Sequence, residues 1–141
     1  VVFDWSLRVP PEARVFSTLA AGPVIMVVSR GAALAQPGEV ARLERAGVVV
    51  ERADRRELAP VLRWLGTRDL LSLLVEGGPR LHAAFLAESL VDRVQVVTTP
   101  HVLGQGLPAA SGVDLRPRGA RTRTVVLGDD ELWETDVHRV D

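Results

Sequence analysis

The sequence lacks cysteine, lysine, asparagine and tyrosine altogether. The absence of cysteine excludes disulfide bonds and metal sites built on thiolates. In the absence of lysine, arginine supplies all 17 side chains of the Lys and Arg class, and 18 acidic residues leave a net charge of −1. A chain without a basic excess lacks the electrostatic footprint of a nucleic-acid-binding protein, so we expect no nucleic-acid partner.

Long apolar runs are missing as well. No stretch approaches the roughly 20 apolar residues that cross a bilayer, and no secretory leader pattern is visible. Hydrophobic residues still make up 47% of the 141 positions, which is enough for a folded core. We therefore expect one globular domain over residues 1–141, cytoplasmic and without a membrane partner. Because Val1 already lies in an apolar run, we also expect the chain to be a fragment.

The apolar patterns predict an α/β fold. The continuous run Pro23–Ser29 is typical of a strand buried on both faces, and alternation of such strands with helices predicts a mostly parallel sheet with crossover helices. Further strands are predicted at Val1–Asp4, Val48–Val50, Leu71–Glu76 and Arg93–Thr99, and helices at Glu39–Ala46, from near Glu57, and at Pro79–Ser89.

Three local signals refine this pattern. Gly47 is placed as a C-terminal helix cap, and Pro60 requires its helix to start near Glu57, because proline is tolerated only in the first turn. Two strand-like runs, at 123–127 and 132–138, are joined by Gly128-Asp129-Asp130, which predicts a C-terminal antiparallel hairpin.

Residues 73 to 79, Leu-Leu-Val-Glu-Gly-Gly-Pro, are the strongest functional signal. An apolar strand ends in Glu76, two glycines follow, and Pro79 suits the first position of a helix. In open α/β sheets such a corner binds ligands, and helix-start N–H groups favour phosphate. We predict that Glu76 contacts a substrate and that Gly77 and Gly78 let a ligand approach the backbone. The alternatives are a carboxylate that caps the turn or pairs with an arginine, and glycines that serve only a tight turn.

Weaker signals lie elsewhere. Ser29 and Arg30 follow a buried strand and either hold a phosphate or form a solvated turn. The segment Gly104-Gln105-Gly106-Leu107-Pro108 is either a binding loop or a plain connection. The histidines share no metal-ligand or triad spacing, so we expect no metal and assign no catalytic residue. The three histidines are His82, His101 and His138. We interpret the three tryptophans, Trp5, Trp64 and Trp133, as packing residues.

Two downstream segments make the pattern specific. Phe85-Leu86-Ala87-Glu88-Ser89-Leu90-Val91-Asp92 follows the corner, and Pro100-x-x-Leu103-Gly104-x-Gly106-x-Pro108 comes next. With Leu73–Pro79, they resemble the reductase domain of the bifunctional riboflavin-biosynthesis deaminase/reductase, which has a dihydrofolate-reductase-like fold. The similarity extends nearly end to end, because three further segments also match: Val1–Asp4, Leu7-Arg8 and Leu127–Asp130.

The resemblance implies an NADPH-dependent reduction of a ribosylamino-pyrimidine 5′-phosphate to its ribitylamino product. Hydride would reach C1′ of the sugar in its open-chain imine form. The resemblance also implies a homodimer, no metal, and Glu76 as a substrate contact. The residues expected to bind the cofactor are Gly77, Gly78, Pro79, Arg80, Leu81, His82, Ala83 and Ala84, together with Ser29 and Arg30.

The chain departs from the family pattern in three places. Trp5 stands where the family has a small serine, so it either blocks the usual cofactor contact, stacks on adenine, or marks an altered cofactor preference. Arg80 and His82 replace smaller residues and add positive charge near a phosphate. The family's preceding strand–helix–strand region is absent from this sequence. Two alternatives therefore stay open, namely a related NADPH reductase with another substrate and a non-catalytic nucleotide-binding or dimerisation module.

Overall fold

The computed structural model of the protein describes residues 1–54, 56–102, 104–106, 109, 115 and 121–137. The chain divides into two compact units, Val1–Arg68 and Asp69–Asp141, and each has a sheet of its own. Several residues used in the sequence analysis lie outside the described part, namely Leu103, Leu107, Pro108 and His138.

The first unit alternates strands with helices. Its elements are β1 (Val2–Phe3), a 3₁₀ helix (Arg14–Thr18), β2 (Ile25–Ser29), α1 (Arg30–Ala35), α2 (Pro37–Arg45), β3 (Val49–Ala53) and α3 (Leu58–Gly66). The strands form a parallel sheet in the order β1-β2-β3, with Val2 opposite Met26 and Ile25 opposite Val49. This arrangement confirms the predicted parallel pairing in the first half of the chain. Helix α1 was not predicted, because its six residues are too few to show helical periodicity.

Strand β2 is buried on both faces, as its continuous apolar run predicts. Met26 and Val28 point to one side and pack with residues of α1 and α2, whereas Val27 points to the other side and packs with α3. Side chains alternate across a strand, so a single run of apolar residues serves two hydrophobic clusters. The partners contributed by the three helices are Ala33, Val40, Leu43, Val61 and Leu65.

The predicted helix boundaries are confirmed at both tested ends. Gly47 has a φ of +96°, and the N–H of Val48 donates to the carbonyl of Leu43 at 3.0 Å, which closes helix α2 as a Schellman motif. Glu57 is the N-cap of α3, which places Pro60 in the first turn, where its missing N–H costs nothing.

The second unit contains α4 (Pro79–Ala87), β4 (Arg93–Thr98), β5 (Arg121–Leu127) and β6 (Asp130–Asp136). The predicted hairpin is confirmed: β5 and β6 pair antiparallel, and Gly128 takes the turn with a φ of +68°. Strand β4 also pairs antiparallel with β6, so the sheet described in the second unit is antiparallel. Among the described helices, none combines the length and apolar character that a membrane span requires.

The predicted strand Leu71–Glu76 is wrong. Residues 70–78 have no regular secondary structure, and Leu71 and Leu74 are 90% and 76% exposed. A strand exists only where a neighbouring strand completes its hydrogen bonds, and neither described sheet extends to this segment. The segment therefore has the amino-acid composition of a strand but lacks the neighbouring strand that it would need for pairing.

The two-sided core of the first unit predicts a strong dependence on Leu43, which is 2% exposed. We expect Leu43→Ala to lower the free energy of unfolding by about 2–5 kcal/mol, because it removes buried methyl groups and leaves a cavity. Urea denaturation of the 141-residue protein measures this loss. Leu34→Ala is the matched control, since Leu34 is 76% exposed and its truncation should change stability by less than about 0.5 kcal/mol. Equal losses in both variants would contradict the assigned core.

Candidate functional site

Helix α4 begins without a side-chain cap. Gly78 is its N-cap residue, with a φ of −79° and a ψ of 174°, and Pro79 occupies the first helical position. The N–H groups of Leu81 and His82 both donate to the carbonyl of Gly78, at 2.9 and 3.2 Å. The first turn contains no acidic residue but includes Arg80. The positive end of the helix dipole is thus not neutralised by a side chain of the helix itself, and such an end suits an anionic ligand.

The two glycines before this helix differ in their surroundings. A Cβ atom built on Gly77 would lie 2.5 Å from Leu81 Cδ2 and 3.0 Å from Leu81 Cβ, so a side chain there would displace Leu81. A Cβ atom built on Gly78 would have no atom of the described residues within 4 Å. Gly77 is therefore required by packing within the corner. The open space over Gly78 is available to a ligand.

Glu76 lies exposed immediately before these glycines. Within the part of the chain that the structure describes, its carboxylate forms no hydrogen bond or ion pair and does not cap α4. Both structural alternatives for Glu76, a turn cap and an arginine partner, are thus unfilled there. Its role as a substrate contact stays a prediction.

The carboxyl ends of β1 and β2 form a second polar corner, in the first unit. The carbonyl of Trp5 accepts the N–H of Ser29 at 3.2 Å, which ties the chain after β1 to the end of β2. The hydroxyl of Ser29 accepts the N–H of Ala32 at 3.0 Å and thereby caps α1. Arg30 donates from Nε to the carboxylate of Asp54, and this hydrogen bond raises the pKa of Arg30. Ser29 and Arg30 therefore have structural partners, and their predicted role toward a phosphate stays a prediction.

Trp5 packs as a partly buried residue against the cluster that contains Ile25 and Val27. Trp64 packs against the same cluster, and Trp133 is 6% exposed, so the interpretation of the tryptophans as packing residues is confirmed. The indole of Trp5 thus has a structural environment on the α3 side of the sheet.

The role of the Asp4 side chain was not predicted from the sequence. This carboxylate is 7% exposed and accepts the backbone N–H groups of Arg8 and Val9. It holds a turn in which buried Leu7 has a φ of +51°, a left-handed conformation that costs a non-glycine residue free energy. An aspartate directly after a strand is a known turn former, so the signal was present in the sequence.

The remaining predicted cofactor residues are distributed along α4. Arg80 is exposed, Ala83 and Ala84 are half-buried, and His82 Nδ1 lies 2.8 Å from the carbonyl oxygen of Ala109. The residues from Glu76 to Ala84 thus lie in the second unit, whereas Ser29 and Arg30 belong to the first. In the described ranges, no group of three or more histidine, aspartate or glutamate side chains could hold a metal ion.

Comparison with protein families gives one family match. The family model described as "RibD C-terminal domain" matches residues 1–132. A curated relative is the riboflavin biosynthesis protein RibD of Aquifex aeolicus, 33% identical over 107 residues, which covers 76% of this chain and 28% of the relative. Another is the 2,5-diamino-6-ribosylamino-4(3H)-pyrimidinone 5′-phosphate reductase of Methanothermobacter thermautotrophicus, 34% identical over 145 residues. That match covers 97% of this chain and 65% of the relative, so the chain spans less than two thirds of either protein.

Solved structures show the same fold. Two forms of Acinetobacter baumannii RibD each superpose with a TM-score of 0.71 at 21% sequence identity. The superpositions cover 95% and 97% of this chain and 36% of the other. The predicted α/β, dihydrofolate-reductase-like fold class is thereby confirmed.

The contrast between the two glycines predicts different responses to a methyl group. We expect Gly77→Ala to lower the free energy of unfolding by about 1–2 kcal/mol, because the added Cβ forces Leu81 out of its position. Gly78→Ala should change stability by less than about 0.5 kcal/mol, because the entropy lost by the unfolded chain offsets the N-cap preference for glycine over alanine. Urea denaturation measures both variants. Equal destabilisation would show that the two glycines are not distinct.

Proposed function

The chain belongs to the RibD C-terminal domain family, and from this premise we propose that it is the reductase part of a riboflavin-biosynthesis enzyme. The proposed reaction is the NADPH-dependent reduction of a ribosylamino-pyrimidine 5′-phosphate to the ribitylamino product. Two curated relatives named as 2,5-diamino-6-ribosylamino-4(3H)-pyrimidinone 5′-phosphate reductases, from Methanothermobacter thermautotrophicus and Archaeoglobus fulgidus, support this choice of substrate class. They are 34% and 32% identical to this chain.

The observation that carries the proposal is the uncapped start of α4. A dinucleotide presents a pyrophosphate, and backbone N–H groups at a helix start are suitable donors for it. Gly78 leaves open space at that point, and the first turn carries Arg80 and no carboxylate that would repel the anion. These features fit a nicotinamide dinucleotide, although the same donors would also accept another phosphate ester.

The residues of this chain contribute binding and orientation. A bound nicotinamide cofactor supplies the hydride chemistry of such enzymes. Glu76 is exposed directly before the open backbone of Gly78, so its carboxylate can accept hydrogen bonds from hydroxyl or amino groups of a substrate. In the proposed reaction, hydride adds to C1′ of the open-chain imine, the C=N double bond becomes a single bond, and the nitrogen gains a proton.

Glu76 provides the first functional test. We expect Glu76→Gln to lower kcat/KM for the pyrimidine substrate by about tenfold to a hundredfold, because a charge-assisted hydrogen bond becomes a neutral one. The Kd for NADPH, measured by calorimetry, should stay within about twofold of the unchanged protein. Turnover is measured on the protein expressed from its complete reading frame.

Glu131→Gln is the matched control for this experiment, because Glu131 is also exposed and lies on β6. It should leave kcat/KM unchanged. An equal loss of NADPH affinity and of turnover in Glu76→Gln would contradict the division of labour between the substrate and cofactor contacts.

Gly78 provides the second functional test. We expect Gly78→Val to raise the Kd for NADPH by about tenfold, because the branched side chain would occupy the open space of the proposed pyrophosphate site. Stability should fall by less than about 1 kcal/mol, since no described atom lies within 4 Å of the new Cβ position and only the N-cap preference for glycine is lost. Gly38→Val in α2 is the control, because its Cβ also meets nothing within 4 Å. Unchanged NADPH affinity in Gly78→Val would refute the assignment of this backbone to the cofactor.

A further inference from the structure

His82 connects helix α4 to a residue that is distant in sequence. Its backbone N–H donates to Gly78 at 3.2 Å and belongs to the first turn of the helix. Its side chain leaves the helix instead, and Nδ1 lies 2.8 Å from the carbonyl oxygen of Ala109, 27 residues further along the chain. Helix geometry does not require this contact, so it is a specific tertiary hydrogen bond.

This contact determines which ring nitrogen of His82 carries the hydrogen. A carbonyl oxygen only accepts hydrogen bonds, so His82 Nδ1 must carry the hydrogen. In the neutral imidazole, Nε2 is then the unprotonated nitrogen. The structure therefore assigns His82 the Nδ1–H tautomer, which can be observed directly in solution.

The residues near the accepting carbonyl have little other packing. Gly104, Gln105, Gly106 and Ala109 are exposed, and a Cβ atom built on either glycine would meet no described atom within 4 Å. Gly104 also adopts a φ of +82°. Because apolar burial does not hold these residues, a single directed hydrogen bond has a large influence on where they lie.

We propose that His82 is a positioning residue that holds Ala109, and through it the glycine-rich residues 104–106, against the start of α4. The expected effect on cofactor binding rests on the proposed function, because the start of α4 is also the proposed pyrophosphate site. The ring acts through Ala109 and is not itself the phosphate ligand. Direct binding of a phosphate by Nε2 is the competing outcome of the experiment.

Two substitutions separate the roles of the two ring nitrogens. In His82→Asn the new side-chain amide takes the place of Nδ1 and keeps a donor toward Ala109, whereas in His82→Gln the amide takes the place of Nε2 and the donor is lost. Asparagine has about the helix propensity of histidine and glutamine a higher one, so neither substitution is expected to break α4. His101→Gln is the control, because His101 is exposed and its ring makes no hydrogen bond in the described part of the chain.

The first measurement needs no ligand. Nitrogen-15 NMR of the 141-residue protein should show the Nδ1–H tautomer for neutral His82. Heteronuclear 15N–1H NOE values of Gly104, Gln105 and Gly106 should fall in His82→Gln, because the tether to α4 is lost, and stay near wild type in His82→Asn and His101→Gln. An Nε2–H tautomer, or equal NOE values in the His82→Asn and His82→Gln variants, would overturn the inference.

The second measurement uses NADPH and calorimetry. His82→Gln should raise the Kd by about fivefold, and His82→Asn should restore it to within about twofold. Equal losses of affinity in both variants, with NOE values unchanged in His82→Asn, would show that Nε2 binds the cofactor directly and would overturn the positioning role. If wild type shows the expected tautomer and NOE values but does not bind NADPH, the contact with Ala109 is supported and the proposed function fails.

Discussion

The burial of strand β2 on both faces is the constraint on which the first unit depends. A strand in this position needs parallel neighbours for its hydrogen bonds and helices on either side for its side chains. Met26 and Val28 meet α1 and α2, while Val27 meets α3, so helices cover both faces of the strand. Because β1 and β2 pair in parallel, their carboxyl ends are adjacent, and the polar residues Asp4 and Ser29 lie there. The position of this polar corner therefore follows from the parallel pairing of the buried strand.

The second unit shows what happens when the same apolar composition lacks a partner strand. Leu71 and Leu74 have the residue types of a buried strand but remain exposed, because no described strand supplies hydrogen bonds to their backbone. The antiparallel sheet of β4, β5 and β6 does satisfy this requirement within the unit. Strand formation is therefore a property of pairs, and hydrophobic composition alone is an incomplete indicator of it.

Structural features that depend only on neighbouring residues could be predicted from the sequence. The Gly47 cap, the start of α3 after Glu57 and the Gly128 turn each depend on backbone conformations that only a few residue types favour, and all three are confirmed. Long-range features were not predictable in this way. The antiparallel pairing of β4 and the contact between His82 and Ala109 join residues far apart in the chain, and no spacing rule encodes either of them.

The two glycines of the candidate site illustrate why a sequence motif combines different physical requirements. Gly77 leaves room for Leu81, and that packing brings the first turn of α4 close to the preceding backbone. Gly78 has open space and ordinary dihedral angles, and glycine is also a favoured N-cap residue. A residue with a side chain at this position would cover the first N–H groups of α4, which are the donors that an anionic ligand needs. The physical argument for a ligand at this corner therefore rests on Gly78, and the packing argument rests on Gly77.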